Sequence, residues 1–184
     1  RYEWKLFGFM DLEVRQLDAH KIAARIQQRL PHADGESIVA GYRRSRPDAD
    51  WTSIWLAIET DRVFRIPAVR LAEAQAAHAP AVHAYWFTWE SPGFGGLLGA
   101  CHAIELPFVF GTLHLPGADQ FVGSGPEAER LAARTMDAWL AFARTGDPGH
   151  PGLPAWPAYD PARRATLELG RDCRLHDDPQ AAER

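Results

Sequence analysis

Apolar residues recur at helical spacing through the first half of the chain, so the pattern there predicts helices. Over 18–30 (DAHKIAARIQQRL) Asp18 stands where an N-cap carboxylate belongs, the apolar positions keep to one face, and Pro31 forbids continuation. A second helix is predicted over about 35–45, capped by Asp34 and closed before Pro47. Residues 50–60 and 61–78 read as a helix pair that buries Ile54, Leu56, Ile58, Val63, Phe64, Leu71 and Ala72. Pro67 falls in the second of these and marks either its first turn or a kink. The clearest helix, over 126–145, begins at Pro126, carries Leu131, Met136, Trp139, Leu140 and Phe142 as its apolar stripe, and ends at Gly146.

Residues 82–90 (VHAYWFTWE) break the helical rhythm. Aromatic and β-branched residues occupy both parities, the pattern of a central strand covered on both faces by helices. Two shorter strands, over about 165–169 and 172–176, are predicted to form a C-terminal hairpin. One central strand, a hairpin and five helices make a helix-rich α/β inventory with an incomplete sheet. A buried strand needs neighbours on both sides. Its further partners are expected upstream of Arg1, a first residue that is not methionine. The open sheet edge is also the expected place for self-association.

Composition narrows the classes. At 184 residues the chain suits one domain, and residues 1–184 are expected to form a portion of a single domain whose earlier part is missing. A net charge of −4 argues against a nucleic-acid or anionic-membrane surface. No apolar stretch approaches the roughly 20 residues of a membrane helix, and the opening RYEWK is no signal peptide. The cysteines, Cys101 and Cys173, make no disulfide framework, so free thiols and a cytoplasmic location are expected.

Several motifs fail on inspection. GFGGLLG (93–99) has Leu98 where a dinucleotide loop needs its third glycine. GESIV (35–39) has Val39 where a nucleophile elbow needs glycine, and its setting is helical, so Ser37 is expected in a helix first turn. Neither Ser91 nor Ser124 stands in an elbow, and no histidine or cysteine spacing suits a metal. What remains is His102, in GACHAIELPFVF (99–110). It is either a packed core ring or a proton carrier. It follows the strand over 82–90 on a glycine-bearing loop, where open α/β sheets place their ligand sites, and imidazole titrates near neutrality.

GACHAIELPFVFG (99–111) resembles the histidine motif of the type B carboxylesterases, the α/β-hydrolase family that includes the cholinesterases and the bacterial para-nitrobenzyl esterases. RYEWKLFGF at the start resembles the family's acid segment, with Glu3 on the glutamate and Tyr2 where aspartate is common. TDRVFRIPAVRLAEAQ (60–75), VHAYWFTWESP (82–92), TMDAWLAFARTGDP (135–148) and WPAYD (156–160) resemble further family stretches in the same order. The resemblance implies the C-terminal part of an α/β-hydrolase fold and a Ser-Glu-His triad for hydrolysis of small-molecule esters. His102 is then the base and Glu3 the acid, and the serine lies upstream. Phe94 and Leu97 are expected to line the substrate pocket, and Glu105 to be structural. No cofactor or metal is implied. The same family contains members with broken triads, so a non-catalytic binding module stays open as the alternative.

Overall fold

A computed structural model describes residues 3–8, 10–79 and 81–184. They fall into two compact units. One runs up to Pro67 and regains the chain at Gln180–Arg184; the other spans Ala68–Pro179.

The first unit is helical: α1 (Lys5–Gly8), α2 (Ala19–Arg29), α3 (Gly35–Ser45) and α4 (Trp51–Thr60). Three of these start on a carboxylate cap. The side chains of Asp18, Asp34 and Asp50 accept from the backbone N–H groups of Lys21, Ser37 and Ser53, satisfying amides that a helix start leaves orphaned. Ile22 and Ile26 from α2, Val39 and Tyr42 from α3, and Ile54, Trp55 and Ile58 from α4 close on one another as the core. Arg29 and Arg43 lay their guanidinium groups on the rings of Trp55 and Trp51.

The expected helix pair is one continuous helical path. After Thr60 the chain makes a π-helical turn over Asp61–Arg65, in which the Ile66 N–H donates five residues back to the Asp61 carbonyl, and α5 (Ile66–Ala76) follows. Pro67 is the second residue of α5, in its first turn. Ile54, Leu56 and Ile58 are buried as expected. Val63, Phe64 and Ala72 are only half-buried, and Leu71 is 69% exposed. Spacing identifies the apolar side of α5, yet none of its residues is buried, and Ile66, Val69, Ala72 and Ala76 are half-buried.

Buried charges in the π turn are paired. Glu59 receives Arg62 in bidentate fashion at 2.8 and 3.0 Å, and Arg65 grips Asp61 through two bonds of 2.6 Å. The Tyr42 hydroxyl donates to Asp61; burial, reinforced by that carboxylate, pushes its pKa up. At Gln180–Arg184 the Glu183 carboxylate takes Arg46 at 2.6 and 2.7 Å and the Ser45 hydroxyl at 2.7 Å.

The second unit holds a three-stranded sheet of order β1 (Ala84–Phe87), β2 (Ala165–Leu169), β3 (Arg174–Asp177). β1 pairs parallel with β2, and β2 with β3 forms the expected antiparallel hairpin. β1 is shorter than 82–90, and among the described strands it is β2 that has a neighbour on each side. Alternation explains what the aromatic run could not show. Leu167 and Leu169 are fully buried on the face they share with Tyr85 and Phe87, where Phe87 meets Phe108 and Tyr85 meets Trp139. On the other face Glu168 accepts from Thr88 at 2.8 Å and pairs with His176 at 2.7 Å, and Trp86 lies edge-on to the His176 ring.

Three further helices complete this unit: α6 (Leu106–Val109), α7 (Ala118–Val122) and α8 (Pro126–Thr145). α8 begins and ends at the expected residues, with Gly146 left-handed at its C-terminus. Its inward face differs from the predicted stripe. Ala128, Leu131, Ala132, Thr135 and Ala138 are buried, whereas Leu140 and Phe142 are 50% and 43% exposed. Small side chains let α8 approach its neighbours closely, and the large ones line its flank.

Candidate active site

β1 leads directly into the loop that carries His102. The Thr88 N–H continues the ladder to the Leu169 carbonyl at 2.8 Å. Trp89, 5% exposed, donates its indole N–H to the Val122 carbonyl at 2.7 Å. Ser91 is buried and gives its hydroxyl to the Phe121 carbonyl, and its N–H bonds the Gly99 carbonyl at 3.0 Å. The Ser91–Gly99 bridge closes the glycine-rich stretch into a small loop. Within it Phe94, Gly95 and Gly96 all adopt positive φ, the backbone for which glycine is suited. GFGG is therefore a tight turn and not the start of a long helix. Phe94 and Leu97 stand out from it, 76% and 55% exposed, while Leu98 points into the core.

His102 follows within three residues of the bridge. Cys101 before it and Ile104 after it are each 1% exposed, so two neighbours are anchored in the core. The chain between them doubles back: Cys101 N–H bonds Gly99, Ile104 N–H bonds Cys101 at 3.4 Å, and Leu106 N–H bonds Ala103 at 3.2 Å. Ala103 has φ of 66°, a left-handed residue that is not glycine. His102, next to the buried Cys101, is itself half-buried. The Glu105 carbonyl accepts from Phe108 and Val109 to open α6, with no side-chain cap from its carboxylate, and Phe108 is fully buried against Phe87 and Trp89. An imidazole held on a short, doubly anchored turn can exchange protons with a bound group without moving its backbone.

Glu3 lies in the first unit and His102 in the second. Glu3 occupies the turn before α1 and is half-buried; Tyr2, the other residue of the acid segment singled out above, lies outside the described residues. The N–H of Trp4 donates to the Thr60 hydroxyl at 3.1 Å, and the Trp4 carbonyl accepts from Gly8 at 2.9 Å. Trp4, Phe7 and Phe64 form a ring cluster, with centroids 4.9 Å apart for Trp4–Phe7 and 6.2 Å for Phe7–Phe64. Sequence reasoning gave Thr60 no role, because its bond spans 56 residues and no local pattern announces it.

Ser37 behaves as its sequence context implies. Ser37 sits in the first turn of α3, its N–H and hydroxyl both on Asp34. Cys101 is buried, and among the described residues no three His, Cys, Asp or Glu side chains could hold a metal ion.

Comparison with known proteins agrees along nearly the full chain. The profile of the Carboxylesterase family matches residues 14–183. Phenmedipham hydrolase of Pseudarthrobacter oxydans is 35% identical over 169 residues, 89% of this chain and 33% of its own length. The para-nitrobenzyl esterase of Bacillus subtilis (strain 168) is 37% identical over 129 residues, 68% of this chain and 25% of its own. Among solved structures, the Geobacillus stearothermophilus carboxylesterase EST55 at pH 6.2 superposes with a TM-score of 0.84 at 39% identity, covering 100% of this chain and 39% of that one. The chain thus spans about a third of the length of these proteins.

Proposed function

The chain belongs to the carboxylesterase family, and from that premise we propose that it is the C-terminal portion of an α/β-hydrolase domain that hydrolyses carboxylic esters through a Ser-Glu-His triad, with the serine outside residues 1–184. In this reading the serine attacks the ester carbonyl while His102 accepts its proton, then returns that proton to the departing alcohol. Glu3 holds the imidazole in the tautomer that can accept and stabilises the imidazolium that forms. Water repeats the cycle on the acyl-enzyme. Phe94 and Leu97, exposed on the loop next to the histidine turn, are apolar contacts for the ester's carbon chain. The substrate class is small-molecule esters.

The observation that supports this reading most is the turn at His102: a half-buried histidine between two core-anchored residues, next to the left-handed Ala103. A histidine serving only as core filler would be buried like Cys101 and Ile104, each 1% exposed.

The test is para-nitrophenyl ester hydrolysis by the full-length protein that contains this chain. His102→Ala is expected to reduce kcat by at least about 10³-fold, the scale for loss of a triad member. Residues 1–184 alone are expected to be inactive. Unchanged turnover in His102→Ala would refute the assignment and favour a non-catalytic binding module.

A further inference from the structure

The segment that carries Glu3 rests on a single stripe of one helix. Thr60 of α4 receives the Trp4 N–H at 3.1 Å and is itself 8% exposed. One turn earlier, Leu56 packs so closely on Gly8 that a Cβ there would lie 2.8 Å from its Cδ2. One turn later, Phe64 meets the rings of Trp4 and Phe7, each at a centroid distance of 6.2 Å. The three contacts are evenly spaced, four residues apart.

An α-helix of 3.6 residues per turn cannot keep that spacing on one line, because each step of four overshoots a full turn by about 40°. The π turn over Asp61–Arg65 removes the drift. Its wider, five-residue bonding, seen in Ile66 N–H to Asp61 O, winds the chain more slowly, so Phe64 stays on the side of Leu56 and Thr60 that faces the segment. A π turn costs hydrogen-bond quality, and in this unit it brings a ring under the segment of residues 3–8.

We infer that Thr60, with Phe64 on the π turn, is a positioning residue that sets where the Glu3 carboxylate lies. The inference rests on the reading of Glu3 as the triad acid. Thr60 touches neither substrate nor reacting atoms; it acts through one backbone bond on the residue next to Glu3. The Trp4 N–H belongs to the peptide that joins Glu3 to Trp4, so the Thr60 bond holds that plane directly. Loss of the Thr60 oxygen therefore frees the peptide on which the Glu3 side chain hangs, while the Gly8 and ring contacts keep the rest of the segment in place.

The experiment uses the full-length protein and compares Thr60→Val, which keeps the shape and removes the acceptor, with Thr60→Ser, which keeps the acceptor. Glu3→Gln is measured beside them. kcat and KM for a para-nitrophenyl ester are expressed per mole of folded protein, taken from the monodisperse size-exclusion peak with wild-type circular dichroism, so that misfolded protein is not counted. Thr60→Val is expected to lower kcat about tenfold or more, because displacing a catalytic group by an ångström suffices for that, with KM within about twofold. Thr60→Ser is expected to restore kcat to within about threefold of wild type, since it retains the bond. A Thr60→Val enzyme with wild-type kcat per site, beside an inactive Glu3→Gln, overturns the inference and leaves the acid assignment standing. An active Glu3→Gln overturns the acid assignment itself. Where Thr60→Val yields too little folded protein, Phe64→Leu carries the same test: a fall in kcat at constant KM supports the inference, and an unchanged kcat overturns it.

Discussion

Replacing Phe108 with alanine is the sharpest test of how the histidine turn is held. Phe108 is fully buried on α6, three residues beyond Glu105, with ring centroids 5.2 Å from Phe87 and 5.3 Å from Trp89. Burying such a side chain contributes about 1.5–3 kcal/mol from area alone. Its two aromatic contacts add about 0.5–1.5 kcal/mol each. The sum, roughly 2.5–6 kcal/mol, brackets the ~3–5 kcal/mol typical of Phe→Ala in a core that cannot collapse. With a denaturant slope near 2 kcal/mol/M, the urea midpoint should fall on the order of 2 M. Tryptophan fluorescence is the natural probe, because Trp89 touches the deleted ring. Phe110 is the control. It stands two residues away and is 71% exposed, so Phe110→Ala should change stability by less than about 0.5 kcal/mol. A midpoint shift below about 0.5 M for Phe108→Ala, or equal shifts for the two variants, would refute the claim that α6 is pinned from beneath.

Two other predictions concern charge. Glu183→Ala leaves Arg46 and Ser45 without their carboxylate and should cost about 1–3 kcal/mol in thermal or urea unfolding; no loss would mean the clasp contributes nothing. His83 packs edge-on to Phe142 and Trp156, its Nδ1 is buried without a hydrogen-bond partner, and burial lowers its pKa despite the nearby charge of Asp147. The unfolded chain then binds a proton more readily than the folded one. The neutral ring's stability is complete above about pH 6.5 and declines as pH falls towards the lower folded-state value. His83→Phe should flatten this acid-side loss in melting temperature between about pH 5 and 7, and an unaltered slope would show that His83 is not its source.

What could be read from residues alone follows the range of the forces involved. Asp18 and Asp34 were legible as caps because an N-cap bond reaches only three residues along the chain. The hairpin of β2 and β3 was legible for a similar reason: its strands are adjacent in sequence. Leu71 shows the limit. Periodicity tells which side of a helix is apolar and cannot tell whether anything lies against it. α8 shows another, since a core face built of alanine looks weaker on paper than a flank bearing Leu140 and Phe142. In the candidate site, His102 was found through a contiguous motif. The left-handed Ala103 carries no residue-type signal, and Thr60 reaches its partner across 56 positions.

The Ala68–Pro179 unit is threaded between two stretches of chain that fold together as the other. A ribosome delivers residues in order, so the core of the helical unit can form early, but Arg46 and Ser45 lack their carboxylate until the whole intervening unit has emerged and Glu183 arrives. Its maturation is therefore tied to the close of translation of this segment, and a nascent chain stalled before Gln180 should be more open to proteases at Ser45 and Arg46 than the released protein.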